Sequence, residues 1–214
     1  VKTYLGAHAV PTDFQGDPDG YVDYIIRTVL PAVKEQGITD ICDVFCEDGV
    51  FSMEQSRRLL EAAREQGFRL KMHADEIEPM GGGGMGAELG CVSCDHLLMV
   101  DDAGIKKLAS SDTVATLLPC TAFCLNKPYA PARKLIDNGC AVALASDFNP
   151  GSCFCNSLPM MIALAVIHMQ MTVEEAITAL TLNGAAALGL ADTVGTIEEG
   201  KQADLVILKY PDYR

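Results

Sequence analysis

Basic residues are scarce in this chain. Against 29 Asp and Glu, its 214 residues include only 16 Lys and Arg, for a formal net charge of -13. The acids are spread along the chain rather than blocked, which argues against nucleic acid or an anionic membrane surface as a partner. No apolar run reaches the roughly 18 residues that span a bilayer, and no signal peptide opens the sequence, so a cytoplasmic protein is expected. The glycine run at 81–84 lacks the Lys-Ser/Thr ending of a phosphate-binding loop and reads as a mobile flap instead. Cysteine is plentiful at nine, an odd number that fits reduced thiols better than a disulfide framework. Cys91-x-x-Cys94 and Cys153-x-Cys155 flank unrelated segments, so they read as core or loop thiols rather than zinc ligands.

Hydrophobic residues make up 49% of the chain and charged residues 21%, enough apolar surface for one large domain or one domain with a small appendage. Apolar strand-like runs alternate with amphipathic helical stretches. Strands are predicted near residues 5, 43, 71, 94, 116 and 144. Helices are predicted over 20–36, 52–66, 101–110, 130–138, 158–171 and 172–188, with capping boxes at Ser52/Gln55 and Thr172/Glu175. This rhythm gives an α/β fold with a parallel sheet, and both a barrel and an open doubly wound sheet satisfy it. From Gly195 the texture changes. Two short strands, 196–197 and 204–208, are expected to form a small antiparallel layer around the Glu199-Gly200-Lys201 turn. The expected division is therefore a barrel-like unit over 1–190 and β-strands over 191–214.

The polar residues that follow the strands form a pattern of their own. His8, Glu47, His73 with Glu76, His96 and Asp147 all stand at or beside strand ends, and only His168 lies on a helix. Asp147 closes the apolar run 141–146 and opens the loop Phe148-Asn149-Pro150-Gly151-Ser152. In parallel α/β enzymes catalytic groups gather at that edge. Imidazole and carboxylate together make a ligand set for zinc or ferrous iron. A bound metal acidifies its water, and the remaining acids and imidazoles carry protons, so metal-assisted hydrolysis is the leading reaction class.

The motifs LGAHAVP (5–11), DVFCEDGVFS (43–52), KMHADEI (71–77), DHL (95–97) and LASDFNPGS (144–152) resemble the amidohydrolase superfamily and, within it, the imidazolonepropionase family of histidine degradation. The tail TLNGAAALGL…GTIEEGKQADLVIL is similar to the general superfamily ending. The resemblance implies a partial (β/α)8 TIM-type barrel of about six βα units, with C-terminal strands of a small β-sandwich. It implies hydrolysis of the ring C–N bond of 4-imidazolone-5-propanoate to N-formimino-L-glutamate, with zinc or iron as cofactor. By the same resemblance His73 and Asp147 are metal ligands, and Glu76, His96 and Asp147 are catalytic. His8, Glu76, Asn149, Gly151 and Ser152 contact the substrate.

The family's metal site also needs a His-x-His pair, and none occurs in this sequence. The resemblance therefore implies an incomplete chain, lacking an N-terminal part, that binds metal poorly and is inactive alone. Open sheet edges would favour self-association, so a homo-oligomer is compatible. A deaminase of a cyclic base is the nearest alternative, although with aromatics at 6% the sequence offers little for base stacking. A non-catalytic barrel scaffold is the alternative outside enzymes.

Overall fold

The structure is a computed structural model and describes residues 1–210. The predicted apolar runs all become strands: β1 (Tyr4–Ala7), β2 (Ile41–Cys46), β3 (Arg69–Ala74), β4 (Ser93–His96), β5 (Val114–Leu117) and β6 (Val142–Leu144). They form one six-stranded sheet in the order β1-β2-β3-β4-β5-β6, every pair parallel. A doubly wound sheet reverses its strand order at a switch point, whereas a barrel wall adds each strand beside the last. The sequential order places this sheet with the barrel wall.

Helices cover the sheet between successive strands. α1 (Pro18–Tyr24) and α2 (Leu30–Gln36) are joined through a π-helical turn, Ile25–Val29. Pro31 lacks the N–H that would bond to the carbonyl four residues earlier, and the wide turn just before it accommodates the loss. α3 (Met53–Glu65) begins with the reciprocal Ser52/Gln55 capping box. It is followed by α4 (Gly82–Glu88), α5 (Asp102–Ala109), α6 (Pro119–Cys124), α7 (Ala132–Asp137) and α8 (Leu158–His168). The helix predicted over 172–188 is two helices, α9 (Val173–Leu180) and α10 (Leu182–Ala187). The break falls at Thr181, whose hydroxyl bonds back to Ile177 O at 2.7 Å, while Asn183 Nδ2 donates to Val142 O at 2.8 Å and ties α10 to β6. Among the described residues no helix is long and apolar enough to cross a membrane.

Two expectations fail. The glycine run is not a flap: it forms the buried start of α4, with Gly82, Gly83, Gly84 and Gly86 all inaccessible. A β-carbon at Gly82 would lie 2.9 Å from Ala74 Cβ, one at Gly83 2.7 Å from Leu97 Cδ2, and one at Gly86 2.2 Å from Cys94 Sγ. Glycine is needed here for close approach of a helix to the sheet, not for freedom of motion. The antiparallel pair at 196–197 and 204–208 is not formed either. Residues 195–210 contain no strand, and Ile197, Val206 and Ile207 stand almost wholly exposed. Two short strands bury too little to hold each other without a further layer. The last residues of the expected 191–214 segment, 211–214, lie outside the described residues.

The packing at α4 gives a stability test. Gly86→Ala should cost about 1–3 kcal/mol in urea unfolding, the range for an overpacked core. Cys94→Ala, which removes the clashing sulfur, should recover part of that cost in the double variant. Additive effects of the two substitutions would contradict the contact.

Candidate active site

Strand register brings the polar residues to one edge. His73 pairs with Phe45 on β2 and with Asp95 on β4, and Ala74 pairs with His96. Just past β1, His8 stacks on the Phe45 ring at 5.2 Å and meets His73 edge-on at 5.8 Å. The His73 and His96 rings are 5.3 Å apart. Three of the four histidines thus converge, as their positions after successive strands predicted. The fourth, His168, stacks instead on Tyr129 at 4.7 Å.

His73 is oriented by an acid. Its Nδ1 lies 3.1 Å from Asp43 Oδ1, and a carboxylate accepts, so Nδ1 carries a proton in both charge states of the ring. Burial alone would push the imidazolium down, but the charges of Asp43, Asp95 and Asp147 hold its pKa up at about 9. Asp95 is itself engaged: it pairs with Lys71 Nζ at 3.0 Å and accepts from Ser93 Oγ at 2.6 Å.

Sequence reasoning gave neither Asp43 nor Asp95 a role. Both stand inside otherwise buried strands, ICDVFC and SCDH. An unpaired carboxylate is costly in such a setting, and that cost is the signal that could have found them.

His96 and Glu76 form the second part of the site. His96 sits at φ 78 where β4 turns out of the sheet. Burial, with the charges of His73 and His8, pushes its pKa down to about 3, so the ring is neutral. Its Nδ1 is buried and meets no hydrogen-bond partner among the described residues, while Nε2 is 3.5 Å from Glu76 Oε2. Glu76 moves the other way. Burial, helped by Asp147 and Glu47 and opposed by His73, raises it to about 7. A carboxyl that titrates near neutrality is suited to both give and take a proton.

The residues around Glu76 are pinned. Asp75, at φ 50, accepts the N–H of Gly81 (2.8 Å), Gly82 (3.0 Å) and Gly83 (2.8 Å), capping α4. Glu47, fully buried, accepts from Ile77 N (2.9 Å) and Glu78 N (3.1 Å) on the far side. Glu47 therefore holds the loop and stands outside the reacting set.

Asp147 closes the site from β6. Its φ is 50, and its Oδ2 accepts from Thr121 Oγ1 on α6 at 2.7 Å. Its charge acts on both His73 and Glu76. Asn149, Gly151 and Ser152 follow in the same loop but bond mainly to one another. Asn149 Oδ1 accepts the N–H of Gly151 (2.8 Å) and of Ser152 (2.7 Å), and Asn149 Nδ2 donates to Asp147 O at 2.7 Å. Among the described residues no hydrogen bond joins Asn149, Gly151 or Ser152 to the histidine cluster.

The described donors fit a cation. Ligand atoms of Asp43, His73 and Asp95 lie within 4.8 Å of one another, and acids outnumber the single Lys71 around them. Each already has a partner within the chain: Asp43 and His73 pair with each other, and Asp95 pairs with Lys71 and Ser93.

Residues 46–213 match the family described as Amidohydrolase family. The chain belongs to the amidohydrolase family. Over all 214 residues it is 65% identical to an imidazolonepropionase of Parabacteroides distasonis, covering 51% of that protein. It is 61% identical over 213 residues to one of Porphyromonas gingivalis, and 56% identical over 213 residues to one of Clostridium tetani, covering 50% and 51% of them. In each case the match takes in the whole of this chain, which spans about half the length of these relatives.

Among solved structures, a triazine hydrolase variant aligns with a TM-score of 0.72 at 16% identity, over 94% of this chain and 51% of that one. A zinc-bound adenosine deaminase from Xanthomonas campestris aligns with a TM-score of 0.67 at 20% identity, over 82% and 46%. These likenesses bear on the fold. The amidohydrolase superfamily is metal-dependent, and the group of Asp43, His73 and Asp95 in this chain agrees with that.

The two shifted imidazoles set opposite pH dependences. Below about 6.5 the unfolded chain takes up a proton at His96 that the folded chain refuses until about pH 3, so stability is lost as pH falls through that window. His73, raised to about 9, contributes fully below 6.5 and loses its contribution as pH rises toward 9. Removing His96 with His96→Gln should flatten the acid limb. From pH 6.5 to 4.5 the variant should gain on the wild type by up to about 1.4 kcal/mol per pH unit in urea melts. Parallel pH curves would show that His96 is not held neutral.

Proposed function

We propose that this chain supplies part of the active site of an imidazolonepropionase, which opens the ring of 4-imidazolone-5-propanoate at a C–N bond to give N-formimino-L-glutamate. One observation carries the reading. The HADE, DHL and DFNPGS motifs carry His73, held by Asp43, a Glu76 that titrates near neutrality, a neutral His96 and Asp147 at the ends of parallel strands. The identity of 56–65% to imidazolonepropionases along the whole chain supports the substrate.

His73, on giving up its Nε2 proton, and Asp147 would hold zinc or iron, which when bound supplies a Lewis acid and makes water nucleophilic at neutral pH. Asp147, with Oδ2 fixed by Thr121, keeps Oδ1 to accept the proton of the attacking water. His96, neutral, presents its ring beside Glu76 and polarises the ring carbonyl that water attacks. Glu76, protonated about half the time near pH 7, passes its proton to the departing ring nitrogen. Water's hydroxyl thus ends on carbon, its proton on Asp147 and the Glu76 proton on nitrogen; return of the Asp147 proton to Glu76 through solvent restores both carboxyls and balances the hydrolysis. His8, stacked on Phe45, makes an edge for the substrate ring. The N–H groups of Gly151 and Ser152, with Ser152 Oγ, would exchange Asn149 Oδ1 for the propanoate carboxylate, and Asn149 would shape that turn.

A hybrid tests the reading. This chain replaces the matching half of the Parabacteroides distasonis relative, and N-formimino-L-glutamate is followed by chromatography. The hybrid should turn over, and Glu76→Gln within it should lower kcat by about 100-fold or more while metal content holds. A folded, metal-loaded hybrid without turnover sinks the assignment.

The 214-residue chain alone offers two ligands where catalytic zinc sites use three or more. It should therefore bind Zn2+ weakly in calorimetry and leave the substrate unchanged. Tight one-to-one binding would show a further ligand.

A further inference from the structure

Four of the nine cysteines stand close together at one corner of the molecule. α6 carries Cys120 and Cys124 one turn apart, and the loop beyond Asp147 carries Cys153 and Cys155. Cys120 Sγ lies 3.4 Å from Cys155 Sγ, sulfur against sulfur across two separate segments. Cys153 donates to Ser146 O at 3.2 Å and also meets Cys124. Cys120 and Cys153 are buried, Cys155 is half-buried and Cys124 is exposed. The proposed hydrolysis uses none of these thiols.

We propose that Cys120 and Cys155 form a redox dithiol that closes to a disulfide by exchange with a small-molecule disulfide such as oxidised glutathione. Cys155 is the reachable partner. It gives up its proton, attacks one sulfur of the oxidant and releases one glutathione thiol, which takes up a proton. Cys120, already in contact, then loses its proton and attacks the Cys155 sulfur of the mixed disulfide, releasing the second glutathione thiol. Two protein thiols are oxidised and one external disulfide is reduced to two thiols, so protons and electrons balance. Closure needs only a short approach from contact to bonding distance.

The bond would fasten α6 to the loop that begins at Asp147. Thr121, next to Cys120, already holds Asp147 Oδ2 at 2.7 Å. The staple would therefore lock the loop in the arrangement that places this carboxylate. Oxidation is a modification of the amidohydrolase chain itself, independent of which substrate it takes.

The test counts thiols. The chain is incubated with oxidised glutathione, denatured without reductant and titrated with a thiol reagent, and linked peptides are mapped by mass spectrometry. The count should fall from nine to seven, with the link between Cys120 and Cys155. Cys155→Ser and Cys120→Ala should each abolish the loss of a pair. Cys124→Ser and Cys153→Ser should leave it intact. Circular dichroism on every variant checks folding, and the half-buried position of Cys155 keeps its variant usable if Cys120→Ala unfolds. A link between Cys124 and Cys153, a lasting glutathione adduct on Cys155, or an unchanged count would overturn the proposal. So would protection of all four thiols by stoichiometric Zn2+, which would make the corner a metal site.

Discussion

A buried carboxylate on a left-handed backbone, Asp75, bears on more of this structure than any ligand residue does. It stands one residue past the end of β3, at φ 50, and takes three consecutive glycine N–H groups into its two oxygens. Hydrogen bonds to a charged acceptor contribute about 1.5–3 kcal/mol each, so this cap is a strong local anchor. It fixes where α4 starts, and hence how closely that helix lies on the sheet. It also fixes the direction in which the chain leaves His73 for Glu76. Glu47 completes the clamp from β2 by receiving the next two backbone donors after Glu76. The residues on either side of Glu76 are fastened, and its side chain reaches His96 Nε2 at 3.5 Å.

The electrostatic pattern follows from the same geometry. Two imidazoles with ring centres 5.3 Å apart are driven in opposite directions, His73 up to about 9 and His96 down to about 3. The difference lies in their partners: Asp43 stands against His73 Nδ1, whereas His96 Nδ1 is buried among the described residues with no acceptor. Environments that push like groups apart are how one site assigns separate acid and base roles. Glu76 beside His96, raised to about 7, completes a graded set of proton affinities.

Much of this was legible because it is local. Apolar runs of four to six residues bounded by turn formers became strands, and the Ser52/Gln55 and Thr172/Glu175 boxes started helices where expected. The polar edge was legible too, since parallel strands all end on one side. What depends on a distant neighbour was not. A glycine run has no side chain to show a periodicity, so the burial of α4 against Ala74, Leu97 and Cys94 could be seen only with those residues in place. Asp43 gained its role from His73, 30 residues away. The strands expected after Gly195 depended on a layer to pair with, and the described segment carries none. The loop at Asn149 bears polar groups as expected, but the sequence could not show that they bond to each other.

The thinness of α4 has a consequence for how this protein tolerates variation. Side chains at positions 82 and 86 would press on Ala74 Cβ and Cys94 Sγ, because the missing side chain sets the spacing between two layers. A saturation map of mutational effects would mark them although they lie outside the histidine cluster. Intolerance here measures thickness.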